Sequence, residues 1–321
     1  MDMGSDMGSM AISLGGLAID AVTEAEAVEH VLGELRAGRG GRLGTLNTDI
    51  FRAASRDPEM NRLITGSSLL VADGMPVVWA AKLQGTPLPQ RVTGASLVLS
   101  LSRAAAQEGR SIYLLGGGPP GVPEQARAAL CSRYPTLTVA GVDAPPQGFD
   151  TSAADVDAVC ARVVSAAPDI VYVGLGFPKQ ERLIARLAPL APSSWFVGCG
   201  AAISFAAGAA SRAPRWMQQV GLEWLYRLAR EPRRLARRYL IHDLPFAGSL
   251  IASRIAHRFG SPSEGRPRVG AHAGVESIAT VIRDRYEQDG TQASRVKSVS
   301  GPRLLSERLG STGFVGNHRG D

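Results

Sequence analysis

Between positions 44 and 197, short apolar runs alternate with segments of helical spacing, and this alternation limits the fold more than any other feature of the chain. The expected strands are 44–47, 68–72, 111–115, 137–142, 170–173 and 195–197. The expected helices are 24–35, 49–64, 97–108, 124–134, 153–166 and 179–187. Strands separated by helices of this length build parallel β-α-β units. The fold class is therefore α/β: a Rossmann-like, mostly parallel sheet flanked by helices. In such sheets ligands gather beyond the carboxyl ends of the strands. Asn47, Asp73, the glycines 116–118, residues 174–180 and residues 198–200 are expected there.

Around this core the composition changes. Residues 1–16 are rich in Met, Gly, Ser and Asp and read as a disordered leader, 17–212 as the α/β core, 213–259 as an Arg- and Trp-rich helical appendage. Residues 260–321 read as a largely disordered tail with one short helix near 275–286. The chain carries a formal charge of +6 with a pI near 9.6, which suits an acidic partner without choosing among nucleic acid, lipid and phosphate. Much of the excess is local: residues 221–259 hold eight arginines against three acids. Cys131, Cys160 and Cys199 are odd in number and widely spaced, as expected in a reducing compartment without a disulfide framework. The first ten residues lack the basic start and apolar run of a signal peptide. No uncharged apolar stretch of about 18 residues occurs, so membrane contact is expected to be peripheral.

Four motifs bear on chemistry. Gly116-Gly117-Gly118-Pro119-Pro120-Gly121 fits the G-x-G-x-x-G pattern between strand and helix, with Asp143 at the end of the next strand. Two prolines in the turn remove N–H donors that a pyrophosphate would need, which favours a tight turn, near a nucleotide or purely structural. Asp155-Val156-Asp157 matches a D-x-D metal pattern, but it begins a helix, where acids are favoured by the dipole. Asp73 follows the apolar run 69–71 and is either a general base or the start of an Asp-Gly turn. Thr45 and Asn47 are open in the same way, as ligand contacts or as helix caps. The stretch 212–239 interleaves Trp216, Trp224 and Tyr226 with Arg215, Arg227, Arg230, Arg233, Arg234 and Arg237. Guanidiniums suit phosphate and aromatic rings suit a membrane interface; a solvated helix or a nucleic-acid surface are the other readings.

Taken in order, several blocks resemble the WecG/TagA/CpsF family of glycosyltransferases, family twenty-six. They are Thr45-Leu46-Asn47, Ala72-Asp73-Gly74, Gln90-Arg91-Val92-Thr93-Gly94, Leu114-Leu115-Gly116-Gly117 and Gln147-Gly148-Phe149. Then follow residues 174–181, reading GLGFPKQE, Arg212-Ala213-Pro214, residues 221–228, reading GLEWLYRL, and Glu231-Pro232-Arg233-Arg234. The resemblance runs from about Leu43 to Leu240. It implies an inverting, metal-independent transfer of a hexose or N-acetylhexosamine, N-acetylmannosamine-like, from a UDP-sugar to a polyprenyl-diphosphate-linked acceptor. No further cofactor is implied. The product would serve cell-surface polysaccharide or teichoic acid synthesis.

By the same resemblance Asp73 is the base, with Thr45, Asn47 and Arg91 in its pocket. Gly148, Phe149, Gln180 and Ser204 stand at nucleotide-binding positions. Arg227, Arg234 and Arg237 reach the diphosphate from an appendage that docks on an anionic membrane surface, on the cytoplasmic, inner face of the cell membrane. Nucleic acid is then not a partner, and the oligomeric state, homo-oligomers included, is left open. One departure stands out: where many members carry Phe-Asp after the last core strand, this chain has Ile203-Ser204, which leaves the donor sugar open. The competing classes are a Rossmann-type oxidoreductase and a non-catalytic membrane-binding adaptor.

Overall fold

The computed structural model describes residues 11–219, 221–230, 232–236 and 243–259. It opens with a hairpin, β1 (Ala11–Leu14) and β2 (Leu17–Asp20), paired antiparallel. Gly15 and Gly16 both take positive φ, as a two-residue hairpin turn requires. Residues 11–16 therefore belong to the fold and not to the leader expected over 1–16. Leu14, Leu17 and Ile19 are buried, and the Asp20 carboxylate accepts from Leu70 N at 2.7 Å.

The chain then alternates as its patterning requires. Helix α1 (Glu24–Arg36) starts at a capping box formed by Thr23 and Glu26. After β3 (Gly41–Leu46), the single helix expected over 49–64 is two: α2 (Thr48–Ala54), capped by Asn47, and α3 (Pro58–Thr65), capped by Asp57. The break is local chemistry, since an Asp cap followed by Pro at the first helical position starts a new helix. Next come β4 (Leu69–Ala72), α4 (Met75–Gln84), α5 (Gly94–Glu108), β5 (Ser111–Gly116), α6 (Val122–Arg133) and β6 (Thr138–Asp143). A 3₁₀ turn at Phe149–Thr151 precedes α7 (Ala153–Ala166), β7 (Ile170–Gly174), α8 (Lys179–Leu187) and β8 (Trp195–Gly198). Short helices α9 (Ala202–Ala206), α10 (Arg215–Gln219), α11 (Glu223–Arg230) and α12 (Pro232–Ala236) lead to α13 (Leu244–Phe259). The expected tail helix near 275–286 lies outside the described residues.

Strands β3 to β8 form one parallel sheet in the order β4-β3-β8-β7-β5-β6. Its central strands are buried on both faces, so they read as continuous apolar runs. In β5, Ile112 and Leu114 face α1 and α5, together with Ile170, Tyr172, Trp195 and Val197 of the neighbouring strands. Tyr113 and Leu115 point the other way, toward Val159, Val163, Leu183 and Leu187 of α7 and α8. On that second face β3 and β4 contribute Leu46, Leu70 and Ala72, which pack with α2, α4 and the hairpin. Helix α13 closes this third cluster: Leu250 is buried in it and Phe246 meets Phe51 edge-on at 5.7 Å. The last helix of the expected appendage is thus packed on the core. No helix among the described residues is long and apolar enough to cross a membrane.

Candidate active site

The carboxyl ends of β4, β3, β8, β7 and β5 open into one cavity of about 1000 Å³, roofed by α11 and α13. Asp73, the first residue after β4, borders it. Its backbone N–H donates to Leu46 O at 3.0 Å, which fixes the chain as it leaves the strand. Its Oδ2 accepts from Gly94 N at 3.3 Å. Burial pushes the Asp73 carboxyl above the ordinary carboxylate range; Arg91, the Gly94 N–H and Arg212 oppose this, and Glu223 adds to it. A carboxylate held this way is a stronger proton acceptor than one in water.

Thr45, Asn47 and Arg91 border the same cavity. The Thr45 hydroxyl donates to Gly198 O at 3.0 Å and so ties β3 to β8. Asn47 Oδ1 accepts from Asp49 N and Ile50 N at 3.0 and 3.1 Å, so this side chain caps α2 while facing the cavity. Arg91 Nη2 donates to Glu223 Oε2 at 3.1 Å. Gln180 is buried: its Oε1 accepts from Gly200 N at 3.1 Å, its Nε2 donates to Glu181 Oε1 at 2.8 Å, and the amide borders the cavity.

Other expected positions sit differently. Ser204 lines the cavity, but its hydroxyl donates to Gly117 O. Phe149 is buried among Tyr113, Leu115 and Val159; Gly148 begins the 3₁₀ turn in a left-handed conformation, and the neighbouring Gln147 is the residue of that block that borders the cavity. Arg227 lines the cavity with its guanidinium over the Phe205 ring. Arg234 falls in α12, and Arg237 lies outside the described residues.

The glycine turn after β5 is tightly packed. Gly116, Gly117 and Gly118 all have positive φ, and a side chain at Gly117 would collide with Ile203. Gly117 N donates to Gly174 O and Val122 N to Pro119 O, while Pro119, Pro120 and Pro123 carry no N–H. Gly117 and Gly118 border the cavity, and the strand order is not that of a dinucleotide fold. The D-x-D pair lies on α7 away from the cavity, with Asp157 paired to Arg186. Cys199 borders the cavity, but burial pushes its thiol up to about 12, so it presents no thiolate nucleophile at neutral pH.

This assembly of a strand-end carboxylate with arginines over a large cleft can be compared with known proteins. The glycosyl transferase WecG/TagA/CpsF family matches residues 12–260. The chain belongs to that family. The match starts inside the hairpin and runs through α13, so both are part of the glycosyltransferase domain. A relative from Bacillus subtilis (strain 168), an N-acetylglucosaminyldiphosphoundecaprenol N-acetyl-beta-D-mannosaminyltransferase, is 30% identical over 198 residues, which cover 62% of this chain and 75% of the relative. Arg212 and Glu223 also line the cavity, and motif reading left them without a role. Both lie in quoted blocks, and only the fold brings them beside Arg91.

Proposed function

We propose that this glycosyltransferase moves a hexose or N-acetylhexosamine from a UDP-sugar to a polyprenyl-diphosphate-linked acceptor, with inversion and without a metal ion, in cell-surface polysaccharide synthesis. The observation that carries the reading is the Asp73 carboxylate, enclosed at the strand ends and facing a cavity large enough for both substrates. The acceptor hydroxyl gives its proton to Asp73 as its oxygen attacks the anomeric carbon. The bond from that carbon to the diphosphate breaks, and UDP leaves with the electron pair. Charge growing on the diphosphate needs fixed positive groups; Arg91 and Arg227 line the cavity, and Arg234 and Arg237 follow in the chain. Among the described residues, no three His, Cys, Asp or Glu side chains stand close enough to hold a metal ion. Gln180 and Gln147 are the polar amides on the wall assigned to the nucleotide.

The relative named above carries an acceptor of this chemistry in its name. Peripheral attachment to the inner face of the membrane is supported by three exposed apolar side chains at the appendage: Trp216, Leu225, and Trp79 next to Gly221. Exposed Arg230 and Arg233 add positive charge beside them. The test is Asp73→Asn. It lowers turnover by roughly 10²-fold or more, and UDP binding by calorimetry stays close to wild type. Near-normal turnover of this variant would contradict the reading.

A further inference from the structure

Glu223 opens α11, and its carboxylate stands between two guanidiniums from other parts of the chain. Arg91 Nη2 lies 3.1 Å from Oε2, and Arg212 Nε lies 3.5 Å from Oε1. The three side chains are only 15–24% exposed, and all border the cavity. Arg212 Nη2 also donates to Thr93 Oγ1 at 3.1 Å. Thr93 caps α5, and the next residue, Gly94, donates its N–H to Asp73. Asp73, Gly94, Thr93, Arg212, Glu223 and Arg91 therefore form one connected polar cluster.

The arrangement answers a problem in the proposed chemistry. A guanidinium beside a carboxylate tends to pair with it through two bonds, which occupies one lone pair on each oxygen and lowers its proton affinity, so a base held in that way is weaker and less accessible. Arg91 acts on Asp73 through its charge, yet its ion pair goes to Glu223. We propose that Glu223 is a positioning residue for the transfer: by holding Arg91 and Arg212, it keeps two guanidiniums near the Asp73 carboxylate without letting them close on it. The proposal rests on the reading of Asp73 as the base. It gives α11 a part in the chemistry, because the helix that roofs the cavity delivers the carboxylate that orders the arginines.

The groups facing Asp73 are Arg91 ahead of α5, the Gly94 N–H within it, Arg212 ahead of α10 and Glu223 of α11, with Asp49, Arg227 and Asp243 farther along the cavity wall. Glu223 raises the proton affinity of Asp73, and Arg91 and Arg212 lower it. Neutralising Glu223 removes the raising contribution and frees both arginines toward Asp73. The carboxyl then titrates at lower pH and is a weaker base.

The measurement is carboxyl-carbon NMR titration of Asp73 in the full chain, its signal assigned with Asp73→Asn, in wild type, Glu223→Gln and Glu223→Asp. In Glu223→Gln the midpoint moves down by about one pH unit or more, the scale of a close charge. The acid limb of kcat/KM moves with it, and turnover falls about tenfold with donor KM little changed. Glu223→Asp restores the midpoint toward wild type. A midpoint that stays or rises in Glu223→Gln overturns the proposal, as does lost turnover with an unmoved acid limb. Normal turnover by Asp73→Asn overturns the base assignment itself and this proposal with it; an unmoved midpoint in an enzyme that needs Asp73 overturns the positioning role alone.

Discussion

Asp73, Asn47 and Glu181 are all polar side chains beside the cavity or just behind it, and each is used differently. Asn47 spends its oxygen on two backbone N–H groups of α2, a use its place before a helix made readable. Asp73 keeps its carboxylate toward the cleft. Glu181 stands behind Gln180: one oxygen accepts from the amide, the other is buried without a hydrogen-bond partner among the described residues, and burial pushes the group from 4.5 to about 6. The sign follows directly. Between about pH 4.5 and 6 the folded chain holds a proton that the unfolded chain has lost, so Glu181 makes stability fall as pH rises through that window. We expect Glu181→Gln to remove this fall, making the variant more stable than wild type at about pH 7.5 by roughly 2 kcal/mol, with a much smaller gain at about pH 4.5. Urea unfolding at the two pH values reads it; an equal difference at both would contradict the assignment. No motif signals such a group, because its behaviour depends on what covers it.

At the scale of elements, the parallel units were legible because buried strands and amphipathic helices leave different periods in the sequence. The hairpin is masked by the Gly-, Ser- and Met-rich composition of residues 1–16, although Gly15-Gly16 between Ile12, Leu14, Leu17 and Ile19 is a two-residue turn signal flanked by alternation. Helix α4 escaped for the opposite reason. Met75, Val77, Val78, Trp79, Ala80 and Ala81 leave no polar stripe, and the helix packs between the hairpin and α13, so no periodic face was needed. Block order draws attention to the residues of α11, but not to what Glu223 touches, which depends on a contact across 132 positions. The exposed side chains of α10 and α11 carry their own prediction. Changing Trp216 and Leu225 together to Ser should weaken co-sedimentation with anionic vesicles at least several-fold, since each removes apolar area available for insertion. The melting temperature should stay near wild type, because neither side chain is buried. Unchanged vesicle binding would turn the membrane reading away from this face.

At the scale of the whole molecule, a parallel sheet and a helical roof converge on one cleft in a chain that belongs to a glycosyltransferase family. The roof is tied down twice, by Leu250 and Phe246 against α2 and α4 and by Glu223 against Arg91 and Arg212. Ile203-Ser204, where the resemblance sets Phe-Asp, puts an apolar side chain under Gly117 and a hydroxyl on its carbonyl, and we propose that Gln147 and Gln180, which also line the cavity, take part in choosing the donor. The most direct test of the account is a transfer assay with a panel of UDP-sugars and a short-chain polyprenyl-diphosphate-linked N-acetylglucosamine acceptor, run in excess EDTA, with the anomeric configuration of the product read by NMR. The account predicts that one hexose or N-acetylhexosamine donor gives UDP and a lipid-linked product of inverted configuration, and that Asp73→Asn loses it. Retained configuration, or activity that appears only on adding a divalent metal, would contradict it.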